Sequence, residues 1–136
     1  MTKRLKGVPP NLGKNIKNPN SSGHNPIFDY PVFCLRHVHK NHHLDDCTDS
    51  ELASLIMRMH KLSTMTWKDI QMAPRHGMGT EKISQDSIKT GIPAHITPDV
   101  TFYALRFEGK KPFVGYRSGY VFHVVYIDRN FTLYDH

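Results

Sequence analysis

Four short runs in the last third of the chain limit its fold more than anything else in the sequence. TFYALRF (101 to 107), PFVGYR (112 to 117), YVFHVVYID (120 to 128) and FTLYD (131 to 135) are rich in β-branched and aromatic residues. The connectors EGKK, SG and RN between them are short enough only for antiparallel neighbours. The pattern predicts a four-stranded β-meander. A sheet of this kind needs at least one covering layer, and the sequence upstream has to supply it.

The layer is legible as two helices. Thr48 and Glu51 form a capping box, and Leu52, Leu55, Ile56, Met59 and Leu62 follow at helical spacing, which predicts an amphipathic helix from 49 to about 64. Thr66 caps a second, shorter helix, WKDIQMA, in which Trp67 and Ile70 share a face and which Pro74 ends. Upstream, IFDYPVFCLRHVH (27 to 39) reads as a strand. RHGMGTEKISQDSIKTGIPAHITPD, broken by Gly, Pro and Ser, reads as a long loop with room for one short turn of helix. The fold class expected is α+β: an N-terminal strand, a helical pair, then the four-stranded antiparallel meander, its helices on one face and the other face open. At 136 residues the chain supports one such core, burying about 70% of its unfolded surface.

Residues 1–26 differ from the rest. They carry Lys3, Arg4, Lys6, Lys14 and Lys17 with no acid, and little that is apolar. We read them as a basic flexible arm and residues 27–136 as the single α+β domain. The whole chain has 18 Lys and Arg against 12 Asp and Glu, a net charge of +6, which favours an anionic partner such as RNA, DNA or an acidic protein. Its longest apolar runs fall far short of the roughly 20 residues that cross a bilayer, so the expectation is a soluble cytoplasmic protein with no membrane partner. Cys34 and Cys47 read as ordinary reduced thiols. They bracket four histidines in CLRHVHKNHHLDDC, residue types that zinc prefers, but in no finger-like spacing, and no metal is assigned. Met57, Met59 and Met65 read as core filler and Trp67 as a core anchor.

The meander is threaded with protonatable groups. An Arg-bearing strand, a hydrophobic strand ending in Asp, and a closing Tyr-Asp-His occur in that order in GYRSGYVFHVVYIDRNFTLYDH (115 to 136). With the strand and helical pair before it, this layout resembles the RelE/ParE superfamily of toxins from type II toxin–antitoxin systems. The resemblance covers roughly 27–136 and is one of layout; the loop from Arg75 to Asp99 and the basic arm depart from the compact family pattern. It implies a toxin endoribonuclease (mRNA interferase) that cuts messenger RNA, often on the ribosome, without a metal or other cofactor, and that is held in check by a cognate antitoxin protein.

The chemistry can be derived without the family. Cleavage by the RNA's own 2′-hydroxyl needs a base, a cation on the phosphorane oxygens and an acid for the departing 5′-oxygen. His136 and His123 can serve as acid or base near neutral pH, and Arg117 and Arg106 as bidentate phosphate clamps. Glu81 or Asp135 can orient these groups or act as base, while Tyr134 or Tyr116 can stack on a nucleobase. Arg75 and His76, in the glycine-bearing RHGMGTEKI, can reach a phosphate. The catalytic candidates are thus Arg117, His136, His123 and Glu81; the substrate-binding candidates are Arg106, Tyr116, Tyr134, Arg75 and His76. Register decides one pairing: a three-residue loop at 118–120 puts Arg117 and His123 on one side, and a two-residue Ser-Gly turn puts them on opposite sides. Two other readings stay open on the sequence, a non-catalytic RNA- or DNA-binding module and a toxin that inhibits a protein target such as a topoisomerase.

Overall fold

A computed structural model describes residues 24–136, so residues 1–23 of the basic arm lie outside the described residues. The fold is α+β, with one five-stranded mixed sheet in the order β1-β5-β4-β3-β2. The strands are β1 (Val32–Cys34), β2 (Glu81–Ile83), β3 (Phe102–Glu108), β4 (Lys111–Ser118) and β5 (Val121–Ile127), and the helices are α1 (Asp49–Ser63) and α2 (Trp67–Met72). Strand count and order differ from the expected meander. The antiparallel run is β2-β3-β4-β5, and β1 adds to β5 in parallel.

Both helices start where their caps require. The Thr48 hydroxyl accepts the Glu51 N–H at 3.1 Å while the Glu51 carboxylate accepts the Thr48 N–H at 2.8 Å, and Thr66 accepts the Asp69 N–H at 3.1 Å. Leu55, Met59, Leu62, Trp67 and Ile70 then pack with Leu105, Phe107, Phe113, Phe122 and Val124 of the sheet. Glu51 does more than cap. It is buried, and it also accepts hydrogen bonds from Arg129 Nε at 2.7 Å and Lys111 Nζ at 2.8 Å, joining the start of α1 to the start of β4 and the turn after β5.

The two hairpins turn on glycine. Gly109-Lys110 links β3 to β4 and Gly119-Tyr120 links β4 to β5, with φ of 58° at Gly109 and 61° at Gly119, a region in which a Cβ is strained. The second turn is two residues long but is Gly119-Tyr120 instead of Ser118-Gly119. Arg117 therefore pairs with Phe122 and His123 with Tyr116, which puts Arg117 and His123 on opposite faces.

Four expectations are corrected. The strand expected over 27–39 shrinks to Val32–Cys34, because Pro26 starts a 3-10 turn at Pro26–Asp29 and the chain beyond Cys34 turns at 36–37. The expected loop 75–99 contains β2, which was not foreseen, beside the one short helical turn that was, a 3-10 turn at Gln85–Ser87. FTLYD is not a strand. The free side of β5 is already taken: β1 pairs with its first half, and further on His39 N–H donates to Val125 O and Ile127 N–H to His42 O, at 2.7 and 2.8 Å. Finally, the second sheet face is not open. Ile83, Phe102, Ala104, Val114 and Val125 on that side are covered by Ile96 of the 84–101 segment and by Leu133 and Tyr134, with Lys89 N–H donating to Leu133 O at 2.8 Å.

Candidate functional site

Asp128 explains how the segment after β5 is folded back. It is fully buried, and its carboxylate accepts the backbone N–H groups of Thr132 (2.8 Å) and Leu133 (3.1 Å). This closes a tight turn in which Phe131 takes φ 57°. Beyond it, His136 Nε2 lies 3.3 Å from Asp128 Oδ2, and the His136 ring packs on Tyr134 with centroids 4.0 Å apart. Because both carboxylate oxygens act as acceptors here, Nε2 of His136 is the donor, and Nδ1 is the basic nitrogen of the neutral ring. His42 approaches the other oxygen of Asp128 at 4.0 Å.

His136 lines a cavity of about 220 Å³ with Arg75, His76, Glu81, Arg106, Lys110 and Phe131. Three elements converge on it. The β2–β3 pairing sets Glu81 opposite Ala104, so Arg106, two residues on, is its diagonal neighbour; Arg106 Nη2 donates to Glu81 Oε1 at 2.6 Å. Arg75 Nη1 lies 3.6 Å from the second Glu81 oxygen. The 74–80 segment holds Arg75 and His76 in place by a close turn, with the Gly77 and Gly79 N–H groups both donating to Pro74 O at 2.9 Å. A Cβ on Gly79 would lie 2.1 Å from the Ala73 carbonyl oxygen, so the turn needs glycine there. Arg58 of α1 fastens it to the sheet by donating to Gly77 O (3.2 Å) and Arg106 O (2.8 Å). Lys110, in the β3–β4 turn, completes the rim.

The electrostatics favour an anion. Arg75, Arg106 and Lys110 face a single carboxylate, Glu81, in this cavity. Arg106 is 4% exposed; its Nε and Nη1 are buried and, like the Tyr134 hydroxyl, make no hydrogen bond within 3.5 Å, but Arg106 and the Tyr134 hydroxyl face each other closely enough to interact. Burial raises the Tyr134 hydroxyl's pKa, the Arg106 charge opposing it, so the group stays protonated. The Tyr134 hydroxyl backs the buried side of the Arg106 guanidinium, and the excess of cations over carboxylates around the cavity suits a bound oxyanion.

Five of the residues singled out in the sequence thus meet: Glu81, Arg106, Arg75, His76 and His136, with Tyr134 packed beneath His136. Arg117, Tyr116 and His123 lie elsewhere. Arg117 is stacked on Trp67 on the helix-bearing face, so no site joins it to His136, whose segment covers the other face. His123 stacks on Tyr116 with centroids 4.7 Å apart, next to His37 and His95. Burial, and then the neighbouring His37, His95 and Arg36, lower its pKa. Asp135 is exposed and pairs with Lys89. Lys110 and Asp128 were not foreseen; the signals were a lysine placed in a two-residue hairpin turn and an aspartate ending a strand just before a polar Asn-Phe-Thr. The residues of the Cys34–Cys47 stretch do not gather: among the described residues no three His, Cys, Asp or Glu side chains form a group that could hold a metal ion. No described helix is long and apolar enough to cross a membrane.

No family model matches the chain, and no curated protein and no solved structure matches it.

Proposed function

We propose that the chain is an endoribonuclease of the toxin kind, cutting single-stranded RNA at the Glu81–Arg106–His136 cavity by attack of the 2′-hydroxyl on the adjacent phosphorus. One observation carries this reading: a cavity in which an almost wholly buried guanidinium meets two further cations, two imidazoles and one carboxylate. The phosphate sits on Arg106, with Arg75 and Lys110 neutralising the charge that develops on the phosphorane oxygens. Glu81, engaged by both arginines, is a positioning residue that fixes the fork of Arg106. His136 takes the 2′-hydroxyl proton on Nδ1, while Asp128 holds the ring's tautomer and faces the imidazolium that forms. His76 gives a proton to the departing 5′-oxygen. The P–O5′ bond breaks as the O2′–P bond forms, leaving a 2′,3′-cyclic phosphate and a 5′-hydroxyl.

The test is cleavage of a single-stranded RNA by purified protein in the presence of a chelator, with Arg106→Lys as comparison. Cutting that falls about 100-fold in the variant supports the site. Intact RNA with the wild-type protein, but salt-dependent binding, would make the chain a nucleic-acid-binding module instead. An activity of this kind requires a block in the cell, and an acidic antitoxin segment over the cationic cavity is the partner that this reading expects.

A further inference from the structure

A second cavity, of about 460 Å³, lies at the other end of β3 and β4, lined by Trp67, Gln71, Thr80, Asp99, Tyr116 and Arg117 among others. We infer that it is a nucleobase subsite for the same RNA strand whose phosphate occupies the Arg106 cavity, with guanine the preferred base. The inference rests on the function proposed above.

Charge separates the two cavities. The Arg106 cavity is cationic, whereas here Arg117 is offset by Asp99, so this one suits a neutral polar ring better than a phosphate. The platform is preformed. The Arg117 guanidinium carbon lies 4.4 Å from the Trp67 ring centroid, and its Nε donates to Gly119 O at 2.7 Å, which holds the guanidinium against the indole. Arg117 is itself exposed, so its outer face is open to a stacked base, a role that guanidinium planes and aromatic rings share in single-strand recognition. Trp67 is anchored behind it by its indole N–H, which donates to Tyr120 O at 3.0 Å. The edge groups then read the base. Asp99 accepts N–H donors and the Gln71 amide can donate to an acceptor; guanine presents an exocyclic amine for the first and O6 for the second. The two cavities lie on either face of the edge strand β2, Thr80 lining this one and Glu81 the other, so an RNA strand that rounds this edge with one phosphate at Arg106 brings a base several nucleotides away here.

The probe is a short 2′-O-methyl RNA, which lacks the attacking hydroxyl and so separates binding from cleavage, compared with the same oligonucleotide made abasic at one position. Binding is read by anisotropy of a 5′-dye, and occupancy of this cavity by the fluorescence of Trp67, the only tryptophan. Guanine at that position should bind about tenfold more tightly than the abasic form and perturb Trp67, with Arg117→Ala and the exposed Gln71→Ala each removing most of that gain. Equal affinity for the base-bearing and abasic forms, or a gain untouched by both variants, overturns the subsite. If RNA is cut normally while the abasic form binds equally well, the subsite fails and the cleavage reading stands. If Trp67 reports base binding but no RNA is cut, the subsite stands alone.

Discussion

Arg106 and Glu81 are diagonal neighbours across the β2–β3 pair, joined by a 2.6 Å hydrogen bond that uses only one of the three guanidinium nitrogens of a buried arginine. The cluster of Arg106, Arg75 and Lys110 around this pair is the basis of the phosphate site. Lysine at this position keeps the charge and loses the planar fork, so Arg106→Lys should lower cleavage by about 100-fold and leave the folded state in place, checked by circular dichroism. In cells, expression of the wild-type chain alone should arrest growth while the Arg106→Lys chain is harmless. Equal toxicity would remove Arg106 from the mechanism.

Asp128→Asn should act through His136. An amide side chain can donate where the carboxylate only accepts, which favours the other tautomer of His136 and costs about 100-fold or more in rate, with the pH-rate profile displaced. A merely structural role would lower the melting temperature without moving the profile. His136→Ala should remove the limb of the profile that reports the base.

Glu51 gives an acid-stability prediction. Its hydrogen bond with Arg129, then that with Lys111, lower its pKa from the model-compound value of 4.5 to about 2. A depressed carboxylate contributes stability that is fully present above 4.5 and is lost as pH falls from there through about 2. Glu51→Gln should therefore unfold at a lower denaturant concentration at pH 7, by about 1–2 kcal/mol, and lose less stability than the wild type between pH 4.5 and 2. Parallel pH profiles for the two proteins would contradict the network's role.

The imidazole cluster works in another window. Burial, followed by neighbouring histidines, lowers the pKa values of His37 and His123 below 6.5. The unfolded chain then binds more protons than the folded one, so stability should fall as pH drops from about 6.5. His123→Phe, which keeps a ring on Tyr116, should weaken that dependence in urea titrations at pH 7 and 5.5.

How much of this was legible follows from how local each signal is. The capping box at Thr48–Glu51, the Thr66 cap and the stop at Pro74 act within a few residues, and both helices stand where they place them. Strands β3, β4 and β5 were visible in their composition. By contrast, β2 is three residues, Glu81–Ile83, held by pairing with β3, and nothing in EKI alone predicts a strand. FTLYD has strand composition, but occupation of β5's edge and the capture of Thr132 and Leu133 by Asp128 override it. The same long-range facts hid the site. Arg106 and His136 were recognisable as chemistry, but their meeting depends on a register and on a turn that sequence spacing does not set, and Arg117 was grouped with His136 whatever the length of the 118–120 turn, whereas the fold puts the two on opposite faces.

Gly79→Ala tests whether that turn matters to the site. A methyl group 2.1 Å from the Ala73 carbonyl oxygen forces the 74–80 segment to move, and Arg75, His76 and Glu81 move with it. Cleavage should drop about tenfold or more while α1 and the β3–β5 core remain, as judged by amide exchange. Unchanged cleavage would mean that the turn does not position the site.

The central claim is attack by the 2′-hydroxyl in the cavity that His136 and Arg106 share, and mass spectrometry of the product ends tests it most directly. With a chelator present, a single-stranded RNA should yield fragments ending in a 2′,3′-cyclic phosphate and beginning with a 5′-hydroxyl, and one 2′-deoxy substitution at the cut should abolish that cut. Fragments with a 5′-phosphate and a free 3′-hydroxyl, or cutting that persists at the deoxy position, would contradict it.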